Sequence, residues 1–182
     1  FGMQTIVNNF LSGLILIFSR TLHEGDVIDV GNLQGVVRKI SVRATTVETF
    51  DNAIIFVPNS EFVSNRLINW TRNGRIVRRE VAIGVAYGTD PKLVERLLVE
   101  VAQSVPQIVR RPQPFVLFMD FADSTLNFVL RYWSDIGTAT DAASAIRHRI
   151  VEVFAEHQVE IAFPQLDVHV IPQTPSLTRA EG

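Results

Sequence analysis

Hydrophobic and polar positions change period twice along this chain. From Phe1 to Ser19 no side chain is charged, and the spacing is helical. At about 100° per residue, Gln4, Asn8, Ser12, Thr5, Asn9 and Gly13 fall on one half of a wheel. Ile6, Ile17, Phe10, Leu14, Val7, Phe18 and Leu11 fall on the other, while Ile15 and Leu16 break the rule. A helix bathed in solvent carries Lys and Glu on its wet face, whereas this one carries amides, hydroxyls and glycine. An unpaired amide facing hydrocarbon costs several kcal/mol. The polar half is therefore expected to meet water or protein, and the apolar half lipid or an apolar neighbour. At about 1.5 Å per residue the uncharged run spans roughly 28 Å, near the thickness of a hydrocarbon core. Arg20, His23 and Glu24 then return the chain to water. The pattern predicts a helix that lines or flanks an aqueous pore, or lies in the membrane interface. A buried amphipathic core helix is the alternative.

From Glu24 the period becomes that of strands. Asp26 to Val30 reads as a strand and Gly31-Asn32 as a turn. Gly35 to Thr49 is a long β-rich run, Asp51-Asn52 a tight turn, and Ala53 to Val57 a returning strand. Pro58-Asn59-Ser60 breaks it; Ser60 is expected to cap a helical turn through Ser64, before a last strand from Leu67 to Thr71. Five short strands in about fifty residues suggest a small barrel. Such a barrel has a modest core of its own, which makes oligomerisation plausible.

Asn73-Gly74 marks the expected boundary. Beyond it the order is strand, helix, strand, strand, helix, strand. Arg79 to Tyr87 opens it. Asp90-Pro91 supplies an N-cap and a first helical proline, and Pro106 ends that helix. Strands Phe115 to Phe121 and Leu126 to Trp133 follow, then a capping box at Thr138 to Asp141 and a helix striped by Ile146, Ile150, Val153 and Phe154. Leu166 to Ile171 is the last strand. This order is ferredoxin-like. The predicted class is α+β: an amphipathic membrane helix (1–22), an Sm-like β domain (23–73), a ferredoxin-like α/β domain (74–172) and a disordered tail (173–182).

Composition narrows the function. The 182 residues carry a formal charge of −2 and no cysteine, which gives no electrostatic case for nucleic acid and rules out disulfides and thiolate metal sites. The chain opens on Phe with no basic region before the apolar run, so it reads as a fragment that starts inside a helix, with further membrane anchors upstream. His23, His148, His157 and His169 lack metal-ligand spacing. Asp120 and Asp123 flank a turn, where capping is the ordinary role. There is no phosphate loop and no nucleophile with a recognisable base, so nothing argues for an enzyme. Asn69-Trp-Thr71 matches a glycosylation sequon, which a strand position makes a chance match. Arg72, Arg75, Arg78 and Arg79 cluster at the boundary, as a solvated junction or as an anion-attracting patch near an ion path.

Gln4-Thr-Ile-Val-Asn-Asn-Phe-Leu-Ser-Gly13, Glu24-Gly-Asp26, Gly35-Val-Val37, Phe56-Val-Pro-Asn59, Asn69 and Gly84-Val-Ala-Tyr87 together resemble the small-conductance mechanosensitive (MscS-like) channels. The resemblance implies the cytoplasmic end of a pore helix, an Sm-like domain and a ferredoxin-like domain, in a bacterial inner-membrane homo-heptamer with everything after about residue 22 in the cytoplasm. Membrane tension would open it to ions and small solutes, with no cofactor and no nucleic-acid partner. By similarity Phe1 stands at the second apolar ring of the pore, with Gln4 and Asn8 also lining it. Gly2, Thr5, Asn9 and Gly13 would serve helix packing and gating, with Gly2, Asn9 and Gly13 nearer the next subunit. Thr5 replaces a glycine at which the family's helix often kinks. Asn9 with Pro58, Asn59 and Ser60 would couple helix to β domain. A soluble Sm-like oligomeric binding module, with RNA as its candidate ligand, and a ligand-sensing regulatory domain are the other readings; the first lacks the basic balance and exposed aromatics that RNA binding requires.

Overall fold

The computed structural model describes residues 2–164. It is α+β, with one apolar helix ahead of two antiparallel sheets. Helix α1 (Gly2–Ser19) runs unbroken through Thr5. It stops at Arg20, whose φ of +50° is left-handed and cannot continue a right-handed helix. The Arg20 carbonyl so released accepts a 2.7 Å hydrogen bond from the Arg72 guanidinium.

The first sheet holds β1 (Val27–Val30), β2 (Leu33–Ile40), β3 (Ala44–Glu48), β4 (Ile54–Pro58) and β5 (Leu67–Asn69), in the order β4-β3-β2-β1-β5. All neighbours are antiparallel. Val30 pairs with Leu33 across the Gly31-Asn32 loop. Gly31 takes φ +61°, the positive value that a two-residue hairpin with glycine first requires. The long β-rich run divides into β2 and β3 at Ser41–Arg43, and the β2–β3 register shifts between Val37 and Lys39. Alternation buries Val37 and Val47 completely, because successive strand residues face opposite sides. They join Ile28, Val30, Val57, Leu22 and Phe62 in one cluster, and Leu16 of α1 belongs to it.

The short helix α2 (Asn59–Ser64) follows β4 directly. Here the expectation of a Ser60 cap is corrected. Pro58 is the N-cap residue, and no side chain of the local segment caps α2, because the proline side chain has no acceptor to offer.

The second sheet contains β6 (Ile76–Val85), β7 (Phe115–Phe121) and β8 (Leu126–Asp135), in the order β6-β8-β7. Helix α3 (Pro91–Ser104) starts as expected: Asp90 accepts from the Lys92 N–H at 3.0 Å, and Pro91 occupies the first turn. Helix α4 (Ala139–Glu156) does not start at a capping box. The Thr138 hydroxyl donates back to the Asp135 carbonyl instead. A 3₁₀ turn at Ile136–Thr138 leads into the helix, and the Asp135 carboxylate caps that turn through the Gly137 N–H at 2.8 Å. β8 alternates buried and half-buried residues along its whole length. Phe128, Leu130 and Tyr132 meet Leu97, Leu98, Ile146 and Phe154 in a second cluster. The expected last strand and the tail lie outside the described residues.

Candidate functional site

The site is the junction between α1 and the first sheet. Asn9, Ser12, Gly13 and Leu16 recur at i, i+3, i+4 and i+7, so they share one face of α1. That face turns inward: Ser12, Gly13 and Leu16 are buried and Asn9 is half-buried, as is Leu14 beside it. The remaining residues of the helix are exposed, including Ile6, Phe10 and Phe18, the last 79% exposed. Among the described residues α1 is the one helix long and apolar enough to cross a membrane. Leu16, which broke the wheel, does so because it plugs the sheet's core.

Two polar contacts fix the register of this junction. The first joins α1 to α2. The Asn9 Oδ1 accepts a 3.0 Å hydrogen bond from the Ser60 N–H. Ser60 lies in the first turn of α2, where backbone donors have no partner within the helix. Asn9 thus supplies from another helix the acceptor that Pro58 lacks. The second surrounds Asn59, which is fully buried. Its amide nitrogen donates to the Ser41 carbonyl, its amide oxygen accepts from the Thr45 hydroxyl, both at 2.8 Å, and its N–H donates to the Arg43 carbonyl at 3.1 Å. A buried amide needs such satisfaction. This network holds the β2–β3 loop up against α1. A Cβ on Gly13 would overlap the Val42 carbonyl and stand 2.5 Å from Asn59 Nδ2; glycine lets helix and loop approach so closely.

Asn9, Asn59 and Ser60 are thus brought together, with Gly13 among them. Asn9 meets α2 and Gly13 meets the β2–β3 loop of the same chain. Gln4, Asn8, Gly2 and Thr5 sit on the exposed N-terminal half of the helix, away from the sheet. Phe1 lies outside the described residues. The sequence reading missed Ser41, Val42, Arg43 and Thr45. Its available signal was the spacing of Asn9, Gly13 and Leu16, which marks a face without saying what covers it.

A second set of bonds ties the end of α1 to the sheet. Asp26 accepts from the His23 N–H (2.9 Å), the Asn69 amide (2.7 Å) and the Thr71 hydroxyl (3.2 Å). The sequon residues therefore serve the fold. The basic cluster is dispersed among partners. Arg72 holds the Arg20 carbonyl and the His23 ring, Arg75 makes two 2.9 Å bonds to Asp135, and Arg79 lies over Trp70. The Arg75 guanidinium, then the Gly137 N–H, hold the Asp135 carboxyl below the usual aspartate range. Among the described residues no group of His, Asp and Glu is gathered as metal ligands are.

Two family models match the chain: the mechanosensitive ion channel beta-domain over residues 5–72, and the mechanosensitive ion channel MscS C-terminal domain over residues 80–161. The chain belongs to the MscS-like family of mechanosensitive channels. It is 43% identical over 171 residues to an uncharacterised MscS family protein of Haemophilus influenzae. It is 38% identical over the same length to the mechanosensitive channel MscK of Escherichia coli. Each alignment covers 93% of this chain but 15% of the relative, so the chain spans a small part of those proteins. The crystal structure of Helicobacter pylori MscS in its closed state superposes with a TM-score of 0.85 at 27% identity, covering 94% of this chain and 68% of that one.

Proposed function

We propose that this chain is the pore-helix end and cytoplasmic portion of a channel that opens under membrane tension and passes ions and small solutes, without enzymatic activity. The observation that carries the reading is the one-sided burial of α1. An uncharged helix of 18 residues is anchored to a sheet by Asn9, Gly13 and Leu16 while Ile6, Phe10, Ile17 and Phe18 remain bare. Bare apolar side chains in such number belong against lipid or other protein. Membership of the family and the likeness to MscK and MscS support the same reading. On it, the helix (1–22) lies in the bacterial inner membrane, and the Sm-like (23–73) and ferredoxin-like (74–172) domains are cytoplasmic.

Assembly follows from the edges of the first sheet. Strand β4 is an edge, and its Ile54, Ile55 and Phe56 are all exposed, as is Phe50 beside them. An apolar open edge is a surface that proteins cover, and copies of the chain in a ring would cover it. Seven copies is the number that the family resemblance suggests. Gln4 and Asn8, with Phe1 before them, would then line the lumen. The test is recording from excised patches of cells that lack their own tension-gated channels and express the full-length protein. Stepwise currents that appear with suction support the proposal; silence up to patch rupture, with the protein present in the membrane, rejects it.

A further inference from the structure

A groove of about 770 Å³ opens where the two sheets meet, away from the α1 junction. Its polar lining is Gln34 from β2, Trp70 after β5, Arg79 from β6, and Thr140, Ser144 and Arg147 from α4; the remaining wall is mostly apolar. Two arginines face this space and no carboxylate does. Arg79 lies over the Trp70 ring, 5.5 Å from its centre. Arg147 donates to the Ala143 carbonyl of its own helix at 3.1 Å. Among the described residues neither belongs to an ion pair. Arg75, beside the rim at Gly137, is already neutralised by Asp135.

The region around these arginines is short of acceptors too. Arg79 and Tyr132 are register partners on β6 and β8. Tyr132 is fully buried and its hydroxyl has no partner. Burial pushes that phenol up, against the pull of Arg147 and then Arg79, so it remains a neutral O–H donor.

Each guanidinium presents N–H groups in a fork that matches a phosphate or carboxylate. Two forks suit a phosphate monoester, which carries about −1.5 to −2 charges at neutral pH. The apolar wall and the Trp70 edge suit an organic body, and the space falls within the roughly 300–1,000 Å³ of small-molecule sites. We infer that this groove binds a small phosphate monoester with a planar or apolar body of nucleotide size, its phosphate held by Arg79 and Arg147. Because the groove is walled by both sheets and α4, the bound molecule ties the first sheet to the second.

The test is titration calorimetry of the full-length protein in detergent, with AMP and inorganic phosphate as separate probes. AMP should bind saturably, at least about tenfold tighter than phosphate, and the Arg79→Gln/Arg147→Gln pair should weaken it by about tenfold or more. Ser144→Asp, on the exposed side of α4, places an acid beside the arginines and should weaken it likewise. Arg110→Gln, away from the groove, should leave binding unchanged. Three results overturn the inference: no saturable AMP binding, AMP no tighter than phosphate, or affinity unchanged in the arginine pair or in Ser144→Asp.

Discussion

Replacing Asn9 with leucine removes one acceptor from the α1 junction and leaves both hydrophobic clusters in place. The bond lost is the 3.0 Å contact to the Ser60 N–H. No side chain near Pro58 can replace it, because α2 has no cap of its own. The Ser60 donor would be stranded in a half-buried position. Loss of a helix cap costs about 0.5–2 kcal/mol, typically ~1. One kcal/mol shifts the balance between docked and released α1 by about fivefold in each subunit. If seven subunits move together, separate sites add to something on the order of 7 kcal/mol, enough to reset a gating equilibrium. Folding should survive, because Leu16, Ile28, Val37 and Val47 still fill their cluster. Asn9→Leu is therefore expected to change the closing or inactivation kinetics of tension-activated current in excised patches, with assembly intact by size exclusion in detergent. Asn9→Asp keeps an acceptor at the same reach and should behave much more like the parent. Unchanged kinetics in Asn9→Leu, or an Asp variant as altered as the Leu variant, would refute the role given to this bond.

Gly13→Ala forces a methyl into the Val42 carbonyl and the Asn59 amide; overpacking of this kind costs about 1–3 kcal/mol, and faster amide exchange at Thr45 and Asn59 is the expected sign. Ile28→Ala opens a cavity at a fully buried position and should lower stability by about 2–5 kcal/mol in denaturant titration, where a change under 1 kcal/mol would contradict the packing described. Asp135 has its folded-state pKa lowered. Its contribution is present above the unfolded aspartate value and is lost as pH falls through the folded one. The thermal advantage of the parent over Asp135→Asn should thus be constant above about pH 5 and shrink below about pH 4; an advantage independent of pH would show that the Arg75 pair is not its source.

Much of the fold was legible because its signals are local. Alternation along β8, the Asp90-Pro91 start of α3 and the limits of β7 need only neighbouring residues. The failures come from long-range partners. Ser41–Arg43 turns the chain without glycine or proline, because Asn59 and Gly13 hold that loop from elsewhere in sequence. Thr138 looks like a side-chain cap, yet its hydroxyl turns back to Asp135, which caps the preceding 3₁₀ turn and is itself held by Arg75, sixty residues away. Four clustered arginines read as one patch, and the fold gives Arg72, Arg75 and Arg79 different partners. In the candidate site the Asn9 and Pro58–Ser60 pairing came from family resemblance. Periodicity alone could mark the polar face of α1 but not divide it between sheet and water.

That division is where the reading of α1 as a tension-opened pore lining is most exposed. Cysteine is absent from these 182 residues, so with any cysteine elsewhere in the full-length protein replaced, single cysteines at Gln4, Asn8 and Phe10 can each be tested during patch recording. A charged, water-soluble thiol reagent should alter the current through Gln4→Cys and Asn8→Cys channels when it is applied under tension, and leave Phe10→Cys channels unaffected. Modification of Phe10→Cys with Gln4→Cys and Asn8→Cys protected, or no tension-dependent current from any of them, would contradict it.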